Sequence, residues 1–425
     1  MNSLRIEGGR PISGTVTVGG NKNAVLPMIA ASLLTDEEVR LKGVPEILDV
    51  ESMLEIASSL GVAVERDGDT VKLKASGPLR HAIPKHLCGK VRASILFTGP
   101  LLARLGNASI WPPGGDVIGR RRLDAHFYGL STLGARIDAE ERPFRLKAPS
   151  PLRGRDLFFD EASVTATENI MMAAALSEGV TTIRNAAAEP HVQALARLLQ
   201  SMGARIEGIG TNTLRIEGRS KLGGAETAVP GDHVEAASFL SMAAATGGTI
   251  TVKGASPRDF WMTRRVFEKF GAPLETDDEG IHLKAPGEMT VESDFGGAIP
   301  VVSDGPWPQY PSDMMSCSIV MASQAKGSVL FFEKMFEGRM YFVDRLISMG
   351  ANAIVCDPHR VLITGPSKLR GSEMSSPDIR AGMAMLIAAL AARGESVIHN
   401  ADVIYRGYES VVEKITALGA NVEKL

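Results

Sequence analysis

The chain has 425 residues, which at about 150 residues per domain gives room for two or three domains. Apolar residues make up 44% and charged residues 22%, ordinary globular proportions that exclude extended disorder and a fibrous architecture. Forty-six basic against forty-nine acidic side chains leave a formal charge of −3, without the basic excess that a general nucleic-acid binder carries.

The longest nearly uninterrupted apolar run, Ala381–Ala392, falls short of the roughly 20 residues a membrane span needs. The N-terminal residues lack the basic-then-apolar order of a signal peptide. Cys88, Cys317 and Cys356 are far apart and show no CxxC or Cys/His spacing, so neither a disulfide framework nor structural zinc is expected. The reading is a soluble, cytosolic protein with no metal and no membrane partner.

Taken in chain order, the predicted elements repeat. The segment "LGVAVE" at Leu60 returns as "LGARID" at Leu133, "MGARIE" at Met202, "FGAPLE" at Phe270, "MGANAI" at Met349 and "LGANVE" at Leu418. The six glycines are Gly61, Gly134, Gly203, Gly271, Gly350 and Gly419, separated by 73, 69, 68, 79 and 69 residues. Each follows an amphipathic run such as "ALARLLQSMG" and precedes a short β-rich stretch, which predicts a helix closed by a glycine and then a strand. Earlier in each unit lies a second helix rich in Ala, Met and Leu: "NAVLPMIAASLL", "ASILFTGPLLARLG", "ATENIMMAAALSEG", "AASFLSMAAATGG", "DMMSCSIVMASQAKG" and "RAGMAMLIAALAARG". Few charges interrupt these runs, so they are predicted to be buried nearly all round. Strand-like runs such as "TVTV", "TTIRNA" and "TITVKGA" flank them, and each unit reads as strand, buried helix, strand, amphipathic helix, strand, strand. Units of about 70 residues are marginal alone, so they are expected to group into larger globes.

Function is sought where the copies differ. The first buried helix starts with Lys22 and Asn23 after a two-glycine turn, the second carries Arg92 and the sixth Arg380, while copies four and five carry Asp232 and Asp313. A carboxylate at a helix start is ordinary capping, but a cation there opposes the helix dipole and points to an anion close by. The loop Trp111–His126 holds three consecutive arginines, Arg120, Arg121 and Arg122, with Asp116 among its glycines. Arg339 in "MFEGRM" and Arg406 in "IYRGYES" both precede the second helix of their unit. Arginine suits bidentate grip of carboxylate or phosphate and Lys22 a point-charge contact, so convergence of these groups implies a ligand with several negative charges. A solvated basic loop and a repeat scaffold without chemistry are the plain alternatives.

The stretches "GGNKNA", "VRAS", "GGD.IG.R", "RLD.H", "SVTATENIM", "NAAAEP", "YPSDM", "MFEGR", "DIRAG" and "RGYE", in this order over the whole chain, resemble the enolpyruvyl transferase family, in particular its nucleotide-sugar branch. The resemblance implies a two-domain inside-out α/β barrel of six βαβαββ units, three per domain, with one globe over residues 21–229 and the other over 1–20 plus 230–425. It implies globes that close on substrate, with buried-helix N-termini aimed at the cleft. It also implies the substrates phosphoenolpyruvate and UDP-N-acetylglucosamine, with no cofactor.

Carried over residue by residue, Lys22, Arg121 and Arg406 would hold the phosphate of phosphoenolpyruvate, and Arg339 and Arg380 its carboxylate. Asn23 and Asp313 would hold the sugar, with Asp313 as the base. Arg92, Arg121, Leu123, Asp124, Ser163, Val164 and Thr165 fall on the uridine diphosphate positions, and Phe336 on a further substrate contact. The acid that protonates the methylene is Asp116 or Lys22. Many members carry cysteine in place of Asp116, and members with aspartate resist fosfomycin, which alkylates that cysteine. Insensitivity is therefore expected. Arg122 stands where proline is common, Glu161 where lysine is, and Thr165 where glycine is. Tyr405 replaces a common acid. These changes leave open another acceptor, such as uridine monophosphate. Shikimate 3-phosphate fits the "SVTATEN" and "RLDAH" stretches less well, and RNA 3′-phosphate cyclisation lacks both a nucleophile and a basic surface. A non-catalytic nucleotide-sugar-binding protein is the remaining class. His126, His191 and His359 read as structural hydrogen-bonders.

Overall fold

The computed structural model describes residues 3–116, 118–149 and 151–425. The chain forms two compact units: a first domain of Gly20–Asp116 and Arg122–Pro230, and a second of Met1–Gly19, Val117–Arg121 and Gly231–Leu425. Each has its own apolar core.

One unit illustrates all six. Val180–Arg184 runs parallel to Asp156–Phe158, with Ile183 opposite Leu157, and antiparallel to Thr213–Glu217. That strand pairs antiparallel with Arg205–Glu207. The buried helix Val164–Ala174 connects the two parallel strands, and the amphipathic helix Pro190–Ser201 follows the second. The same order recurs in the other sheets of the described residues, so the βαβαββ reading holds. In the sheet of Asn107–Ile110 the first strand shrinks to a single bridge between Ala82 and Ser109.

Three sheets take a strand from far along the chain. Ala225–Ala228 lies parallel to Glu38–Lys42, Gly14–Thr17 lies parallel to Ile250–Lys253, and Leu4–Glu7 completes the sheet of Glu395–His399. Sequence order alone hides these pairings, because each strand lies far along the chain from the strand it joins.

The local chemistry explains the elements. All six repeat glycines have positive φ, between 72° at Gly271 and 106° at Gly350, where a side chain would be strained. The Ala/Met-rich helices pack together: His233–Thr246, Ser312–Ala322 and Ile379–Ala391 touch one another in the second domain. In the first, Val164–Ala174 touches both Lys22–Ala31 and Thr98–Leu105. Small side chains let such helices approach closely while remaining dry.

One predicted helix is broken. "ASILFTGPLLARLG" divides into a 3-10 segment, Arg92–Phe97, and an α-helix, Thr98–Leu105. The Gly99 N–H, which would continue the ladder to the Ile95 carbonyl, donates instead to Asn169 Oδ1 at 2.8 Å. The Thr98 hydroxyl takes the Ile95 carbonyl at 2.6 Å.

Candidate active site

In the first domain, Asn21 caps the helix Lys22–Ala31 by accepting from the Ala24 N–H at 2.9 Å, which puts Lys22 and Asn23 in the first turn. Lys22 Nζ lies 2.6 Å from Asp49 Oδ2, with the two side chains 12% and 5% exposed. Asp49 opens the helix Leu48–Ser59. The anion required beside this helix-start cation is therefore, in part, a carboxylate of the protein itself. Sequence reasoning missed Asp49 because an acid in a first helical turn looks like routine capping.

The Asp116 loop follows the strand Asn107–Ile110. The Gly114 N–H donates to the Cys88 carbonyl at 2.9 Å, and a Cβ on Gly114 would fall 1.9 Å from the Gly89 carbonyl oxygen. Gly115 has φ +102° and runs against Arg92. Only a glycine pair lets the chain press this closely on the Arg92 turn and bring Asp116, half-buried, to its position.

Arg92 Nη2 donates to the Arg122 carbonyl at 3.1 Å, and Arg122 holds Asp124 with two bonds of 2.8 Å. The unusual cation at 122 thus pairs with Asp124. Both partners are exposed, so the pair orients Asp124 more than it stabilises the fold. Leu123 and Val164 lie half-buried on the core of the first domain. Ser163 caps the helix Val164–Ala174, accepting from the Ala166 N–H at 3.4 Å.

Behind that cap, Asn169 Oδ1 takes the Gly99 N–H, which turns Asn169 Nδ2 toward Thr98 Oγ1 at 2.8 Å and His126 Nδ1 at 3.1 Å. His126 Nδ1 must then accept, so Nε2 carries the proton and donates to Thr165 Oγ1 at 3.0 Å. Burial, helped by the charge of Arg92, pushes His126 down to about 3 and keeps it neutral. With its oxygen fixed as an acceptor, Thr165 is left with a hydroxyl proton to donate. His126 is a structural hydrogen-bonder, as read, but one aimed at a candidate site residue.

In the second domain, Asp313 sits in the first turn of Ser312–Ala322. Its Oδ2 accepts from Arg380 Nε at 3.1 Å and Nη2 at 2.9 Å, and its Oδ1 accepts from Arg339 Nη2. Asp378 caps the helix Ile379–Ala391 through the Arg380 and Ala381 N–H groups, so this helix-start cation is also answered by carboxylates. Arg339 and Arg380 are 7% and 4% exposed, and their guanidiniums lie over Phe336 at 5.4 Å and Tyr408 at 5.3 Å. Arg339 Nε and Arg380 Nη1 find no acceptor among the described residues. Two buried guanidiniums thus converge on one carboxylate with donor capacity to spare.

Arg121 is half-buried in the segment that belongs with this domain, where the Gly338 N–H donates to the Ile118 carbonyl at 2.9 Å and the Arg120 N–H to Glu337 at 3.2 Å. Arg406 ends the 3-10 segment Ala401–Arg406, half-buried. The predicted residues therefore form groups within each domain: Lys22 and Asn23; Asp116, Arg92, Leu123, Asp124, Ser163, Val164 and Thr165; and Asp313, Phe336, Arg339 and Arg380.

A family model described as EPSP synthase (3-phosphoshikimate 1-carboxyvinyltransferase) matches residues 6–415. Proteins named UDP-N-acetylglucosamine 1-carboxyvinyltransferase from Borreliella burgdorferi and Treponema pallidum are each 50% identical to the chain over 425 residues. Those matches cover 100% of this chain and 99% and 100% of the relatives. Among solved structures, the enolpyruvyl transferase NikO from Streptomyces tendae has a TM-score of 0.87 at 21% identity, covering 100% of this chain and 99% of that one. EPSP synthase from Acinetobacter baumannii has a TM-score of 0.77 at 20% identity, covering 100% of both chains. At these identities the structural likeness is one of fold.

Proposed function

The chain belongs to the EPSP synthase family of enolpyruvyl transferases, and we propose that it transfers the enolpyruvyl group of phosphoenolpyruvate to the 3-hydroxyl of UDP-N-acetylglucosamine, releasing phosphate. This is the first committed step of peptidoglycan synthesis, and it belongs in the cytoplasm, where both substrates are made. The observation that carries the reading is Asp313 held between the buried Arg339 and Arg380. The acceptor is supported by full-length relatives named for it at half identity.

The reaction is addition followed by elimination. The hydroxyl oxygen bonds to the central carbon of phosphoenolpyruvate, the methylene takes a proton, and the hydroxyl gives one up. The carbon–oxygen bond to phosphate then breaks and the new methyl loses a proton, which leaves an enol ether and free phosphate. Asp313 takes the hydroxyl proton. Its oxygens are both engaged by guanidiniums, so it becomes available as Arg339 and Arg380 turn their donors to the substrate carboxylate. Lys22, Arg121 and Arg406 hold the phosphate, and fixed cations stabilise it as it leaves without reorganising. Asp116 or Lys22 supplies the methylene proton. Asn23 and Phe336 contact the sugar, while Arg92, Arg121, Leu123, Asp124, Ser163, Val164 and Thr165 hold the uridine diphosphate.

Phosphate release from phosphoenolpyruvate, measured with UDP-N-acetylglucosamine, uridine monophosphate and shikimate 3-phosphate, tests the reading. Turnover confined to the first is expected, and turnover only with another acceptor overturns the assignment of acceptor. With Asp116 in place of a thiol, preincubation with fosfomycin should leave the rate unchanged. Time-dependent irreversible loss would contradict the role given to the Asp116 loop.

A further inference from the structure

Two acids that neither the repeats nor the motifs single out lie behind Arg339. The strands Val301–Ser303 and Gly327–Phe332 run parallel with Ser303 opposite Phe332, so the next residue of each, Asp304 and Glu333, emerges side by side. Both are fully buried. The Ser312 hydroxyl donates to the Glu333 carboxyl, 3.0 and 2.9 Å from its two oxygens, and the Met335 and Phe336 N–H groups donate to Oε1 at 3.2 and 3.1 Å. The Lys334 N–H donates to Asp304 Oδ1. Glu333 thus anchors both the turn that leads to Phe336 and Arg339 and the helix start that carries Asp313.

We propose that Glu333, paired with Asp304, is a positioning residue that aims Arg339 and Asp313 and leaves Arg339 available to an anionic substrate. This rests on the reading that Arg339 and Asp313 work on phosphoenolpyruvate. Asp304 Oδ2 is buried with no donor among the described residues, and one proton shared with Glu333 satisfies it. Burial and the neighbouring Asp304 carboxyl push Glu333 up to about 8, against the opposing pull of Arg339. The other charged groups nearby do not neutralise the pair. Lys334 Nζ donates to Ser303 Oγ at 3.0 Å, and His359 donates from Nδ1 to the Glu333 backbone carbonyl at 2.7 Å. While neutral, Glu333 leaves the Arg339 charge for Asp313 and the substrate. Once ionised, it becomes a second carboxylate competing for that guanidinium.

The test is steady-state kinetics between about pH 6 and pH 9 on the wild type, E333Q, E333A and D304N, with thermal unfolding over the same range. In the wild type, KM for phosphoenolpyruvate should rise about tenfold above pH 8 with a smaller change in kcat. E333Q, which keeps the acceptor oxygen and cannot ionise, should hold KM flat, whereas E333A should raise KM at every pH. The midpoint difference between wild type and E333Q should shift as pH passes about 8. A wild-type alkaline rise in KM that persists in E333Q overturns the proposal, as does a midpoint difference independent of pH. If the wild type turns over no substrate, the functional reading fails, and the unfolding data still decide whether the pair holds its proton.

Discussion

Lys22 meets Asp49 in a salt bridge almost closed to water, with side chains 12% and 5% exposed. Its strength depends on both partners: the Asp49 charge offsets an ammonium that also faces the positive end of its own helix. D49N should therefore lower unfolding stability by about 2 kcal/mol in urea titration, somewhat below the usual cost of orphaning a fully buried charge because Lys22 keeps some solvent. kcat/KM should fall with it, since Lys22 loses the contact that aims it. Adding K22M to D49N should cost much less stability than the sum of the single changes, and strict additivity would show that the two side chains do not act together. Tyr405, which had no rationale in the sequence, has one in the fold. Its ring packs on the core of the second domain, and Lys424 Nζ lies 5.7 Å above it. Cys88 and Cys317 are buried, whereas Cys356 is exposed.

The relay from Asn169 through His126 to Thr165 joins two helices of the first domain, Asp124–Thr132 and Val164–Ala174, and its effect is testable at its last member. Because His126 donates to Thr165 Oγ1, the threonine hydroxyl can offer its own proton to a nucleotide oxygen. T165V, which keeps the shape and removes the hydroxyl, should weaken binding of UDP by about tenfold, the value of one lost hydrogen bond. T165S should restore it. Calorimetry with UDP reads this without turnover, and wild-type affinity in T165V would remove Thr165 from the nucleotide contacts. The relay also marks where sequence reading ran out. Repeat glycines, amphipathic runs and buried helices were legible because each obeys a local period, and the βαβαββ order followed from them. The break at Gly99 was not, since it depends on an amide 70 residues away, Asn169. Likewise the cations at 22, 92, 121, 339, 380 and 406 stood out against their repeat equivalents. Asp49, Asp304 and Glu333 looked ordinary until the strands and helices that carry them were paired.

Across the whole molecule, several buried ionisable groups oppose one another in their dependence on pH. Glu235 is pushed up to about 7 by burial, even with Lys414 Nζ 2.6 Å away, and Glu333 up to about 8. Burial and the nearby Glu189 also raise Glu168. Each binds more protons folded than unfolded, so its contribution is complete below about pH 4.5 and lost as pH rises through its folded value. His126 has the opposite sign. Burial pushes it down to about 3, so its contribution is complete above about pH 6.5 and lost as pH falls. Between about pH 4.5 and 6.5 the two effects cancel in part; above 6.5 the acids act alone. The acids outnumber the histidine, so thermal midpoints should be highest near pH 4.5 and fall from there to about pH 8. The E235Q and E333Q pair should flatten that alkaline slope while leaving the acid side in place. An alkaline limb of wild-type steepness in the double variant would show that these carboxyls are already ionised in the folded chain. The Asp304–Glu333 proton and the neutral face it presents to Arg339 would then be lost as explanations together.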